Sequence, residues 1–267
     1  MKIEFYKYQG AGNDFIILDN RINKYNYLTP QQVKHLCDRH FGIGADGLML
    51  LNEKKGYDFE MVYFNANGME STMCGNGGRC IVRFAYDLGV VLTEYRFLAI
   101  DGPHKSSFDE RNWIQLQMRD VNEIDKRYND FIVNTGSPHY IKFVTDVMDR
   151  DVYAEGRKIR NSHDFEEEGI NVNFVEQNDD WITVRTYERG VEDETLSCGT
   201  GVTASALVSA HNDLGFNRVE VRTKGGHLAV EFDKIGEDHF KHIYLCGPAT
   251  FVFKGETEIK VNTVVTR

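Results

Sequence analysis

Apolar and polar residues alternate from Lys2 to Tyr8, which predicts a strand, broken at Gly10-Ala11-Gly12-Asn13 and resumed over Phe15-Ile16-Ile17-Leu18. Thr29-Pro30-Gln31-Gln32 predicts a helix start: threonine as cap, proline in the first turn, glutamine three residues after the cap. Val33, Leu36 and Cys37 follow at helical spacing, which makes Cys37 a core residue, and a strand is expected from Leu48 to Leu51. Gly42, Gly44 and Gly47 spell G-x-G-x-x-G, but here a helix precedes the motif and a strand follows it. A dinucleotide fingerprint needs the opposite order, so that the pyrophosphate meets a helix N-terminus. The nucleotide reading is set aside on that ground.

A longer pattern then repeats. A strand, Phe59 to Asn65, leads to Met73-Cys74-Gly75-Asn76-Gly77, followed by an apolar helix from Cys80 to Leu88 closed by Gly89. In the second half a strand, Trp181 to Tyr187, leads through Glu188-Arg189 to Ser197-Cys198-Gly199-Thr200-Gly201. An apolar helix from Val202 to Leu214, closed by Gly215, is expected after it. Cys74 lies nine residues after Asn65, and Cys198 ten after Glu188. Both copies place Cys-Gly-x-Gly at a strand–loop–helix junction, and so long a period predicts a duplicated domain rather than a solenoid.

Composition narrows the classes. A chain of 267 residues can bury one large core or two modest ones. The net charge of −10 would repel a phosphate backbone, and no basic stripe interleaves with aromatics, so nucleic acid is not an expected partner. Glu166-Glu167-Glu168 reads as a solvated face. No apolar run approaches the roughly 20 residues needed to cross a bilayer, and the first residues carry no signal-peptide core. A soluble cytoplasmic protein without membrane contact is expected. Five cysteines, an odd number, argue against a disulfide framework. Cys37, Cys80 and Cys246 are read as core. The spacings Cys74–Cys80 and His239–His242 match no paired zinc pattern, so no metal is expected.

A cysteine at a helix N-terminus meets unsatisfied N–H groups and about half a positive charge, which favours thiolate. A carboxylate lodged between two such helix ends would meet amide donors from both. An α-amino acid held this way would have one sulfur on each side of its Cα. One thiolate would take the α-proton, the other thiol would return a proton to the opposite face, and the stereocentre would invert. Charge developing on the carboxylate would be stabilised by the paired amides, in place of the electron sink that pyridoxal phosphate provides elsewhere. No cofactor is expected.

Gly10-Ala11-Gly12-Asn13-Asp14-Phe15, Phe41-Gly42-Ile43-Gly44-Ala45-Asp46-Gly47, Met73-Cys74-Gly75-Asn76-Gly77-Gly78-Arg79, Tyr187-Glu188-Arg189-Gly190 and Ser197-Cys198-Gly199-Thr200-Gly201 occur in the order found in diaminopimelate epimerases. The likeness continues through Gly247-Pro248-Ala249 and Phe253-Lys254-Gly255-Glu256, so the chain resembles that family over nearly its whole length. The resemblance implies an α/β (α+β) fold of two pseudo-symmetric domains, each a mixed, barrel-like sheet around a central helix, with the active site in the cleft between them. The final strand would return to the first domain, giving residues 1–112 plus 249–267 and residues 113–248. It also implies interconversion of L,L- and meso-diaminopimelate, in lysine and cell-wall biosynthesis, by a homodimer.

Carried over by position, Cys74 is the proton donor and Cys198 the acceptor, exchanging roles in reverse. Gly75, Asn76, Gly199 and Thr200 offer amides to the reacting carboxylate. Asn13, Asn65, Asn171, Glu188 and Arg189 hold the substrate, and His139 and Glu188 tune the thiols. Read by themselves, Asn65 and Asn171 could equally be turn residues. By the same reading Arg189 could be a surface ion-pair partner and His139 a structural histidine. Two positions depart from the family: Ser137 stands in Gly136-Ser137-Pro138-His139 where many members have asparagine, and Gly47 where some have glutamine. Both affect the distal end of the substrate, neither the thiols. Two rivals stay open: a two-thiol racemase or epimerase of proline, hydroxyproline or histidine, and a non-catalytic amino-acid-binding protein.

Overall fold

A computed structural model describes residues 2–210 and 213–259. Its four α-helices are α1 (Pro30–Cys37), α2 (Gly75–Asp87), α3 (Val152–Arg160) and α4 (Gly199–Ser209). The rest of the regular structure is almost wholly strand.

The strands form two series with the same order of pairing. In the first, Lys2–Gly10 pairs antiparallel with Asn13–Asp19, which pairs parallel with Gly47–Asn52, which pairs antiparallel with Phe59–Asn65. Phe59–Asn65 then pairs parallel with Glu94–Ala99, and Gly102–Phe108 and Ile114–Gln117 follow antiparallel. In the second, Asp130–Asn134, Pro138–Phe143, Asn171–Gln177 and Trp181–Glu188 repeat antiparallel, parallel, antiparallel. Gly215–Thr223 joins parallel to Trp181–Glu188, and Gly226–Gly236 and His239–Gly247 follow antiparallel. The duplication read from the sequence is therefore a duplication of topology. Thr250–Glu258 crosses back to pair with Lys2–Gly10. The two series fuse where Ile114–Gln117 and His239–Gly247 pair, Leu116 opposite Leu245.

Each series wraps one central helix. In α4, Gly199, Gly201 and the run Val202 to Leu207 are buried, a burial on all sides, mostly of apolar residues, that only a surrounding sheet can provide. In α2, Gly75 through Val82, Phe84 and Ala85 are buried, and Arg83 and Asp87 form an i,i+4 pair at 3.0 Å. α1 starts as expected: the Thr29 hydroxyl accepts from Gln32 N–H while the Gln32 side chain accepts from Thr29 N–H. Cys37, Cys80 and Cys246 are buried in the cores.

Both central helices begin earlier than expected, at Gly75 rather than Cys80 and at Gly199 rather than Val202. Glycine has poor helix propensity, and neither cysteine makes a side-chain cap bond. Burial between sheet and facing helix fixes these first turns, and propensity alone misses them. α4 also stops at Ser209, and Gly215 opens a strand instead of closing the helix. Residues 211–212 of the expected helix, and 260–267 of the expected returning segment, lie outside the described residues. The first two G-x-G-x-x-G glycines wrap the end of α1, where Ile43 and Gly44 N–H both donate to the Leu36 carbonyl at 2.9 and 3.0 Å, and Gly47 opens the next strand. Gly44 has φ 83°, and a Cβ on Gly42 would stand 1.9 Å from the His35 carbonyl oxygen. This is helix-end geometry.

Candidate active site

Cys74 and Cys198 are the N-cap residues of α2 and α4. The two helix starts abut: a Cβ on Gly199 would lie 3.4 Å from Gly75 Cα, and one on either glycine would meet Leu245 Cδ2 at 2.9 Å. Glycine is required there because only a bare backbone lets two helix ends come so close. The Asn76 side-chain amide bridges the gap, donating to the Ser197 carbonyl at 3.1 Å. The thiols thus lie at the joint between the two repeats.

Their environments differ. Cys74 is half-buried as a residue, and its thiol donates to Asn13 Oδ1 at 3.6 Å. The Asn13 Nδ2 group is held by the Asp46 carboxylate at 2.5 Å, which turns the carbonyl end of Asn13 toward the sulfur. Cys198 is buried, 7% exposed, with Thr200 Oγ1 3.5 Å from its sulfur. His139 Nε2 lies 2.8 Å from the same Thr200 oxygen. Asn173 Nδ2 is 3.1 Å from His139 Nδ1 and 3.2 Å from the Tyr140 carbonyl, and Asn173 Oδ1 accepts from the Thr186 hydroxyl at 2.9 Å.

Burial dominates the electrostatics. It pushes the Cys198 thiol up to about 12, aided by the Glu188 carboxylate and opposed by Thr200 and the Gly201 N–H. Cys74 is likewise raised by burial and by Glu188, against the N–H groups of Gly77 and Asn76 and the Arg79 cation. The helix ends act in the expected direction, but desolvation outweighs them, so both thiols sit above their ordinary range. Glu188 is itself raised, first by burial and then by Asp46, with Thr195 opposing. His139 is pushed down to about 3 by burial and by Arg189, and is a neutral imidazole.

The remaining expected residues divide into two groups. Arg189 N–H donates to Asn171 Oδ1 at 2.9 Å, and Asn171 Nδ2 donates to Ser137 Oγ at 2.8 Å and to the Pro138 carbonyl at 2.9 Å. The Arg189 guanidinium donates to the Glu168 carbonyl at 2.9 Å and to Ser137 Oγ at 3.4 Å. No carboxylate pairs with it among the described residues, so its charge is uncompensated. Ser137, where many relatives have asparagine, here orients both Asn171 and Arg189. Asn65 ends its strand in a turn closed by its N–H on the Met69 carbonyl at 3.0 Å. A Cβ at Gly47 would strike the Tyr63 ring at 2.5 Å, so Tyr63 fills the space beside the missing side chain.

Sequence reasoning missed several site residues. Arg79 is fully buried, donating to Asn76 Oδ1 at 2.9 Å and the Gly75 carbonyl at 3.1 Å, with no carboxylate partner among the described residues. Burial pulls its pKa down, yet an arginine stays charged. Asp46, Asn173 and the Thr200 hydroxyl also went unread. The signal for Asn173 was available: Asn171 and Asn173 alternate with valine and therefore share one face of a buried strand.

The sequence model of the diaminopimelate epimerase family matches residues 5–122 and 131–252. The chain belongs to the diaminopimelate epimerase family. Diaminopimelate epimerase of Flavobacterium psychrophilum is 47% identical over 254 residues, 94% of this chain and 99% of that one. That of Chlorobaculum tepidum is 43% identical over 256 residues, covering 92% and 98%. Among solved structures, a phenazine biosynthesis protein of the PhzF family from Bacillus anthracis superposes with a TM-score of 0.77 at 15% identity, covering 97% of this chain and 100% of that one. A probable proline racemase from Agrobacterium radiobacter superposes with a TM-score of 0.67 at 13% identity, covering 99% and 94%. These two share the fold. The family is one of isomerases, and this chain shares its two-domain α/β architecture with the two solved structures. No helix of the described residues is long and apolar enough to cross a membrane.

Proposed function

We propose that this diaminopimelate epimerase inverts one α-carbon of its substrate with Cys74 and Cys198 as the two proton-transfer groups. The observation that carries the reading is the abutment of two thiol-capped helix ends, with a Cβ on Gly199 only 3.4 Å from Gly75 Cα. A substrate carboxylate would take the backbone amides of Gly75, Asn76, Gly199 and Thr200. These donors stand ready where charge develops as the α-proton leaves. The substrate α-ammonium would bring a cation beside two raised thiols, which favours one thiolate. That thiolate takes the α-proton, the opposing thiol gives its own to the other face, and the enzyme is left with the proton on the other sulfur. No cofactor takes part.

Asn13 and Asn65 from the first repeat, and Asn171, Glu188 and Arg189 from the second, are assigned to the substrate's polar groups. The uncompensated Arg189 guanidinium suits the distal carboxylate, with which it can form two parallel bonds. That demand for a second acidic end favours diaminopimelate over proline, hydroxyproline or histidine. A non-catalytic amino-acid-binding protein would have no use for two opposed thiols.

We read the two domains as 1–112 plus 249–267 and 113–248, and the protein as a cytoplasmic homodimer. Thr250–Glu258 supports the dimer: it pairs only with Lys2–Gly10 among the described strands and exposes Phe251, Val252 and Phe253. The test of the chemistry is α-proton exchange in D₂O. L,L- or meso-diaminopimelate should exchange with wild type, and Cys74→Ala and Cys198→Ala should each abolish epimerisation in a folded protein. Exchange of proline without diaminopimelate, or full epimerisation by either alanine variant, would refute the assignment.

A further inference from the structure

Backbone N–H groups face both thiols, but their side-chain hydrogen bonds have opposite polarity. At Cys74 the neighbour is an acceptor, because Asp46 holds the Asn13 amide with its Oδ1 toward the sulfur. At Cys198 the neighbour is a hydroxyl, and its direction depends on what lies behind it. The Tyr140 carbonyl can only accept, so the Asn173 atom facing it at 3.2 Å must be the NH₂ nitrogen. The same nitrogen faces His139 Nδ1 at 3.1 Å, which must therefore be unprotonated. The imidazole proton is then on Nε2 and points at Thr200 Oγ1, 2.8 Å away. Thr200 accepts that bond and has its own proton left for the Cys198 sulfur at 3.5 Å.

We propose that Asn173 is a positioning residue that, by fixing the His139 tautomer, makes Thr200 a donor to Cys198 and so favours thiolate there while Cys74 keeps its proton. The proposal rests on Cys198 being a proton-transfer group. Asn173 is fully buried and touches neither sulfur. Its neighbours leave it little freedom: Thr186 holds Oδ1 at 2.9 Å, and a Cβ on Gly201 would stand 2.3 Å from the same oxygen. The charged and titratable groups facing the relay are Arg189 beside His139, and Glu188 and Cys74 beside Cys198. None of them bonds to the imidazole nitrogens, so the tautomer is set by Asn173 and Thr200 alone.

The direct test uses the wild-type protein labelled with ¹⁵N-histidine, with the His139 signals assigned by difference against His139→Gln. The Nε2–H tautomer is expected across neutral pH, and an Nδ1–H tautomer would overturn the relay. The kinetic test compares kcat/KM against pH for Asn173→Leu, Thr200→Val, Thr200→Ser and the double variant Asn173→Leu/Thr200→Val. Loss of the hydroxyl donor should move the limb that requires Cys198 thiolate about one unit to higher pH, and lower the neutral rate tenfold accordingly. Thr200→Ser should retain the wild-type limb. The double variant should shift no further than either single one, because both act through one bond. An unshifted limb in Asn173→Leu, or additive shifts in the double variant, would reduce Asn173 to a packing residue and end the proposal. Full activity in Cys198→Ala would instead remove the thiol assignment, and it leaves the tautomer measurement readable on its own.

Discussion

Gly201 is the third residue of α4, and its missing side chain is what lets the helix press against Asn173 and His139. In Gly201→Ala the new methyl would sit 2.3 Å from Asn173 Oδ1 and 3.2 Å from both Cε1 and Nδ1 of His139. Asn173 cannot simply turn away, because it is tied to Thr186, the Tyr140 carbonyl and His139. Overpacking of this kind costs about 1–3 kcal/mol, and a lost buried hydrogen bond about as much again. Replacing glycine by alanine in a helix returns about 1 kcal/mol. The net loss is about 3 kcal/mol, which for a chain of this size lowers Tm by roughly 10 °C. Scanning calorimetry measures the shift. Asn173→Ala should relieve the clash, so Gly201→Ala/Asn173→Ala should be more stable than the sum of its single variants. A Gly201→Ala protein that melts with wild type would show that Asn173 has room to move, and the rigidity assigned to it would be wrong.

Because burial raises both thiols, inactivation by iodoacetamide should be slow at neutral pH and accelerate up to tenfold per unit as pH rises toward 9; a rate independent of pH would mean that a thiolate is already present. Arg189→Ala should raise KM for diaminopimelate ten- to a hundredfold, since a charge-assisted hydrogen bond contributes about 1.5–3 kcal/mol. Steady-state kinetics would contradict the distal-carboxylate role if KM stayed put.

The two cysteine-bearing junctions were the most legible part of the sequence. Two Cys-Gly-x-Gly runs at matching distances from two strand ends are local features, and the fold keeps them local: each cysteine caps the helix that follows it. The helix starts were misread because Gly75, Gly77 and Gly78 are poor helix formers in isolation and become helical through packing. The net direction of the thiol pKa shifts was out of reach for a related reason. A helix N-terminus can be seen in sequence, but the depth to which the sheet buries Cys198 cannot. The Asn173–His139–Thr200 contacts join residues 61 and 34 positions apart. Nothing in spacing announces such a meeting, although paired asparagines in an apolar strand were a clue. The pairing of Ile114–Gln117 with His239–Gly247 is of the same kind, a contact across more than a hundred residues.

The strand Thr250–Glu258 completes a sheet begun by Lys2–Gly10. A ribosome adds roughly 5–20 residues per second, so the opening strand waits on the order of ten seconds or more for its outer neighbour to be made. During that interval its edge is open to any other extended chain. Lys2–Gly10 is therefore open to mispairing on that side until Thr250–Glu258 is made, and closure of the first sheet waits on synthesis of the entire second repeat.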